Sequence, residues 1–153
     1  MGQVQADRLI LSCVSVWRTS GFAEDWGKTR KAVLERDGFS CFYCGFASKK
    51  YMHVHHLGGR HYDDSEENLV TLCPFCHACL HVGHAGIKKL GRLLFLKEEA
   101  DQARINRFLL EETAARRDIS VFPEVLKALP MEKDFESSGL IELANMILHG
   151  EIE

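Results

Sequence analysis

A chain of 153 residues, 27% of them charged and with a formal net charge of −3, is long enough for one domain with its own core, or for a smaller metal-stabilised unit with helical extensions. The slightly acidic balance excludes the global basic field common in DNA-binding domains, and no apolar run approaches the roughly 20 residues that span a bilayer. Locally the balance shifts: Lys28 to Arg60 holds seven Lys/Arg against two acids, and Glu98 to Glu153 holds six against thirteen. The first segment therefore suits an anion and the last suits water or a basic partner. The N-terminus has no basic n-region and carries Asp7 and Arg8 before its short apolar run, so it is not read as a signal peptide. A cytoplasmic location is the expectation. In a reducing compartment, four of six cysteines in C-x-x-C spacing mean a metal before a disulfide. Cys13 and Cys79 are left over and are expected as buried free thiols.

In chain order, Leu9 to Trp17 (LILSCVSVW) is β-branched and apolar and predicts a strand, with a turn at Thr19-Ser20-Gly21. The segment EDWGKTRKAVLERDG spaces Trp26, Val33 and Leu34 for a helix, and Asp37-Gly38 is its expected stop. Tyr51 to Leu57 predicts a strand. A long loop follows from Gly58 through Glu67, and Asn68 to Leu72 returns as a second strand. Pro74 fits the first turn of a helix that carries both His77 and His81 and ends near Gly83 or Gly86. The local order is strand, loop, strand, helix.

Beyond that unit, Gly91 to Leu96 predicts a short strand. Glu98 to Arg117 predicts a helix with Ala103, Ile105, Phe108, Leu109 and Ala114 inward. Phe122 to Leu129 predicts a short helix between two prolines, Met131 to Phe135 a linker, and Leu140 to Leu148 a last amphipathic helix capped by Ser137 or Ser138. The fold class expected is α+β, with residues 1–97 as a zinc domain bearing an N-terminal strand and helix, and residues 98–153 as an acidic helical extension that packs on the core or binds a partner.

The chemistry concentrates between Cys41 and His81. Two thiolates three residues apart on a tight turn can face one ion, and Cys41/Cys44 and Cys73/Cys76 supply two such turns with 28 residues between Cys44 and Cys73. A closed structural zinc site with four thiolate ligands is the expectation. His55-His56, Asn68 and His77 follow in the order His, Asn, His on strand, strand and helix. In that order, and with its flanking knuckles and the phrase NLVTLCPFCHACLH, the block resembles the HNH, or ββα-metal, nuclease family. The resemblance implies His56 as the general base that activates water, Asn68 as the brace of the hairpin, and His55 and His77 as ligands of a catalytic Mg2+ or Mn2+. The chemistry is consistent, since a cation offsets charge on the phosphate while a neutral imidazole takes a proton. His81, four residues after His77, is an accessory ligand or phosphate contact. Arg60, His61, Lys49 and Lys50 are candidate backbone contacts for DNA. Knuckles of this kind also serve as bare protein-binding scaffolds.

A second resemblance reaches from residue 9 to about residue 110. SVWRTSG, VLERDGFSCFYCGF, NLVTLCPFCHACLHVGHAG and LLFLKEEADQARIN are similar to the DotN/IcmJ family, small zinc proteins of type IVB (Dot/Icm) secretion and related conjugation machines. The last of these resembles that family's Leu-Pro-Glu-x-x-Gln-x-x-Leu-Asn segment, aligned on Glu99, Gln102 and Asn106, with Lys97, Glu98 and Ile105 departing from it. No nuclease needs that segment. The resemblance implies a coupling-complex component that binds the C-terminal tail of a DotL-like coupling ATPase and other coupling-complex proteins. Such a component inserts in no membrane itself and is recruited to the inner membrane through its partner. Members of the secretion systems can lack the catalytic histidines, whereas His55, His56, Asn68 and His77 all stand here. The longer resemblance ranks the apparatus component first and an active HNH endonuclease second.

Overall fold

The computed structural model describes residues 25–57, 63–89, 93–96, 101–116 and 131–135, with Gly139 and Leu143 besides. The strand expected at Leu9 to Trp17, Cys13, the helix at Phe122 to Leu129, and all of the last helix but Leu143 lie outside these residues, as do Arg60 and His61.

Helix α1 spans Trp26–Arg36 and buries Val33 and Leu34. It stops where expected. Gly38 takes a left-handed φ of +60°, open to glycine at no steric cost, and the Phe39 N–H reaches back 2.8 Å to the Leu34 carbonyl, a six-residue closure that satisfies an orphaned helix-end acceptor. Strands β1 (His53–His56) and β2 (Leu69–Leu72) pair antiparallel, with His53 opposite Leu72 and His56 opposite Leu69. All four residues of β2 are buried, the apolar Leu69, Val70 and Leu72 together with the polar Thr71. Asn68 ends a 3-10 turn (Glu66–Asn68) and does not begin the strand.

Helix α2 (Pro74–Leu80) follows, with Pro74 in its first turn. The expected ββα unit is thus present, and with α1 it makes the mixed α+β fold. Helix α2 does not carry His81, however. The last turn tightens to a bond from the His81 N–H to the Ala78 carbonyl, and His81 leaves helical geometry at φ −130°, ψ 50°. A second short helix, α3 (Val82–Ile87), starts from there.

Strand β3 (Leu93–Leu96) forms as expected, but its partner is β4 (Met131–Phe135), the segment expected to be a linker. Glu132, Lys133 and Asp134 disguise that strand, because a two-stranded ladder is held by backbone pairing that charged side chains do not prevent. Helix α4 runs Gln102–Arg116 and starts later than the sequence predicts, because the Asp101 carboxylate accepts the Ala103 N–H at 2.8 Å and caps it. Its buried line is Ala103, Asn106 and Leu109, at i, i+3 and i+6. Phe108, expected inward, is 41% exposed, and Ala114 is exposed as well. Among the described residues no helix is long and apolar enough to cross a membrane.

One polar clamp fastens α1 to the hairpin. The Arg36 guanidinium donates to the Leu69 carbonyl (2.7 Å), to the Glu66 carbonyl and to the Asp37 carboxylate. The Asp37 Oδ2 in turn accepts the Thr71 N–H at 2.9 Å. Burial alone would raise the Asp37 carboxyl, but the hydrogen bonds from Arg36 and Thr71 outweigh it and hold it below its ordinary value. A group depressed in the folded state stabilises above its unfolded pKa and loses that contribution as pH falls through the folded one. Asp37→Ala should therefore cost about 1–3 kcal/mol in urea unfolding at neutral pH, with the gap to wild type closing toward pH 3. An unchanged midpoint at neutral pH would show that the clamp contributes nothing.

Candidate metal centre and histidine site

The four cysteines of the two knuckles come together. Cys41 and Cys44 sit on a tight loop in which the Cys41 N–H binds the Phe46 carbonyl and the Gly45 N–H binds the Cys41 carbonyl, both at 2.9 Å. Gly45 is needed there with its φ of +70°, and a Cβ on it would lie 3.2 Å from the Arg107 guanidinium. Cys73 stands at the N-cap of α2, where its sulfur accepts the Cys76 N–H at 3.3 Å. A bond of 2.8 Å from the Phe42 N–H to the Thr71 carbonyl holds the first knuckle on β2, close to the second.

All four sulfurs lie within 4.8 Å of one another and all four residues are buried. The Cys44 and Cys73 sulfurs are 3.7 Å apart. A tetrahedron with metal–sulfur bonds of about 2.3 Å has edges of about 3.8 Å, so the donors fit a zinc-type ion. As bare thiols they could not all ionise. Hydrogen bonds, first of all from Cys44, pull the Cys41 thiol down, and bonding to Cys41 pushes those of Cys73 and Cys76 up. A cation is what would make four thiolates compatible at this spacing.

The histidines divide by strand alternation. His53 and His55 share one face of β1 and meet α2 and the start of α3. The ring centroids of His55, His77 and His81 are 4.7–5.2 Å apart in pairs, and their nitrogens lie within 4.8 Å of one another. His77 sits in the middle, and burial, then the neighbouring His81 and His55, push it down to about 3, which keeps its ring neutral with a lone pair to offer. His56 faces the other way. It is 7% exposed, stacks on Trp26 at 5.6 Å, and its Nε2 lies 2.7 Å from the Asp64 carboxylate. Asn68 is buried and donates from Nδ2 to the Asp63 carbonyl at 2.7 Å, which ties the incoming loop to the root of β2.

Of the expected site residues, the structure therefore unites the four cysteines, and separately His55, His77 and His81. His81 joins its neighbours from the helix junction and not from the same helix face. His56 and Asn68 are gathered around the Asp63-Asp64 loop end. Lys49 and Lys50 are exposed. Cys79 is half-buried and burial raises its thiol.

Sequence reasoning missed four participants. His53 places its Nδ1 3.0 Å from the Nδ1 of His77. Period-two spacing from His55 was the available signal. Asp64 sat unremarked in an acidic loop, Trp26 had been counted only as helix core, and Asn106 reaches Cys76 across 30 residues.

Residues 41–83 match the family model described as HNH endonuclease, so this stretch is HNH-like, and it holds a four-cysteine cluster of zinc type. Within that class it is similar to two named proteins. It is 34% identical over 76 residues to the type 4 apparatus protein DotN of Legionella pneumophila, covering 48% of this chain and 35% of that protein. It is 39% identical over 61 residues to the Zorya protein ZorE of Escherichia coli, covering 38% of this chain and 17% of that one. The chain thus spans about a third of the first relative and about a sixth of the second. The recognition of a DotN-like HNH zinc protein made from the sequence stands.

Because Cys73 and Cys76 have no exposed surface, removing the ion should remove the packing around them. A strong chelator should abolish the cooperative thermal transition of the chain, and Cys76→Ser should reproduce this without chelator. Survival of that transition in a demonstrably metal-free sample would reject the structural role.

Proposed function

We propose that the chain is a zinc-stabilised component of a DotN-like transfer machine whose HNH site hydrolyses phosphodiester bonds in DNA. The observation that supports the hydrolytic part is the grouping of His55, His77 and His81, with the His56–Asp64 pair on the other face of the same strand. Zinc is the ion for the four thiolates, being tetrahedral and thiophilic. His55, His77 and His81 would hold a second divalent cation, whose charge offsets that building on the phosphate and on the leaving oxygen. An all-imidazole donor set favours a borderline cation such as Zn2+ or Ni2+ over Mg2+ or Mn2+, which prefer oxygen.

The chain's own residues supply the rest. Asp64 accepts from Nε2 of His56 and so fixes the tautomer in which Nδ1 carries the basic lone pair. That arrangement leaves His56 to take a proton from the attacking water, with its ring held flat by Trp26. Asn68 holds the loop that brings Asp64 to His56. Lys49, Lys50 and Arg60 serve the DNA backbone.

Purified chain with Ni2+ or Zn2+ should nick plasmid DNA. His56→Ala should slow this about 10²–10⁴-fold while the four-cysteine ion is retained. Absence of cleavage by folded protein with either of these metals, Mn2+ or Mg2+ would reject the hydrolytic reading.

The similarity to DotN supports a second, compatible reading. In it the chain docks on the C-terminal tail of a coupling ATPase and reaches the inner membrane through that partner, with the HNH fold as scaffold. The acidic balance from Glu98 onward suits a basic tail. A pull-down with such tails should recover a complex. Failure to bind any of them, together with DNA binding of steep salt dependence, would count against docking.

A further inference from the structure

The segment from Glu99 to Asn106, for which the hydrolytic site has no use, ends against the four-cysteine centre. Asn106 is 4% exposed, and its Nδ2 lies 3.3 Å from the Cys76 sulfur and 3.6 Å from that of Cys79. Gln102, one turn earlier, donates from Nε2 to the Asn106 Oδ1 at 2.9 Å. A side-chain amide has an acceptor end and a donor end. With the Gln102 donor on its oxygen, the Asn106 amide can only turn its N–H groups to the sulfurs. Arg107, next in sequence, donates to the Cys44 carbonyl at 3.4 Å, in the space that Gly45 leaves open. One helix thus touches the sulfur of the second knuckle and the backbone of the first, while Ala103 joins the buried core beneath them.

We infer that Gln102 and Asn106 form a relay that positions and stabilises the Cys76 thiolate, making α4 an outer shell of the metal centre. An N–H donor from a fixed amide holds the Cys76 sulfur in the direction of the other three and offsets part of its charge when it ligates, so the relay slows release of the ion. The inference rests on the four cysteines being a zinc site, and it assigns that site a determinant outside the HNH domain's 41–83 stretch.

The test is zinc release from the full-length chain to a chromogenic chelator, together with the absorption of the Co2+-substituted protein. Asn106→Asp puts an anion against the sulfur and should speed release about tenfold or more. Gln102→Glu touches no sulfur. It puts an acceptor where a donor stood, should turn the Asn106 amide over, and should speed release in the same direction. It should also shift the sulfur-to-cobalt charge-transfer band, which a loss of helix packing alone would not move. Arg107→Ala, which removes the Cys44 carbonyl contact and an exposed pair with Glu111 but no contact to sulfur, should leave the band in place. Wild-type release rates and an unmoved band in Gln102→Glu would overturn the relay, even if Asn106→Asp failed to fold. Wild-type protein without a stoichiometric zinc ion would overturn the reading of the cysteine site beneath it.

Discussion

Four buried thiols within 4.8 Å of one another are the constraint on which the other elements depend. Each cysteine comes from a segment with little core of its own. The Cys41–Cys44 loop is a short turn closed by a few backbone bonds around the Ser40–Ala47 bridge, and α2 is seven residues long. Neither would be stable alone, since a helix that short is far below the length that persists in water. A shared ion would convert these two weak pieces into one cross-linked unit, with the hairpin between them closed at both ends. Core residues such as Leu72 and Met52 pack on the cysteines as on any apolar surface, so the ion and the core are one body.

The second organising fact is the alternation of β1. Side chains of a strand point to opposite faces by turns, so His55 and His56 must part company. One joins α2 and α3, and the other joins α1 and the loop before β2. A single short strand thus feeds a three-histidine cluster on one side and the His56–Asp64 pair on the other. The cost of misplacing it is correspondingly high: a one-residue slip would exchange the two roles. The Arg36–Asp37 clamp guards against that slip. It binds Glu66, Leu69 and Thr71 by their backbone atoms and so fixes β2 whatever its side chains are.

Spacing made much of this legible. C-x-x-C pairs, a Pro at the start of α2 and a Gly at the end of α1 are local signals, read without knowing the rest of the fold. What stayed hidden was nonlocal or two-sided. Asn106 is a polar residue in a helical stripe, and nothing local tells that it faces sulfur and not water. Phe108 is apolar yet exposed, because it lies two residues, about 200° round the helix, from the inward-facing Asn106. Glu132, Lys133 and Asp134 lie in a strand whose partner is 38 residues earlier, where backbone pairing overrides composition. The break at His81 depends on contacts with His55 and His77 that no window of the sequence contains.

Cys76 and His77 are neighbours on α2, and their side chains diverge by about 100° around the helix axis. One enters the sulfur centre and the other the histidine cluster, so the ion that orders α2 also orders His77. A scaffold alone would not need the second half of this arrangement. The rings of His53, His55 and His81 gather around a half-buried His77, and burial together with His81 and His55 pushes its imidazole well below the ordinary value. Apolar side chains of similar size would pack those positions at less cost. A cation shared by His55, His77 and His81, whose nitrogens lie within 4.8 Å of one another, would offset that cost.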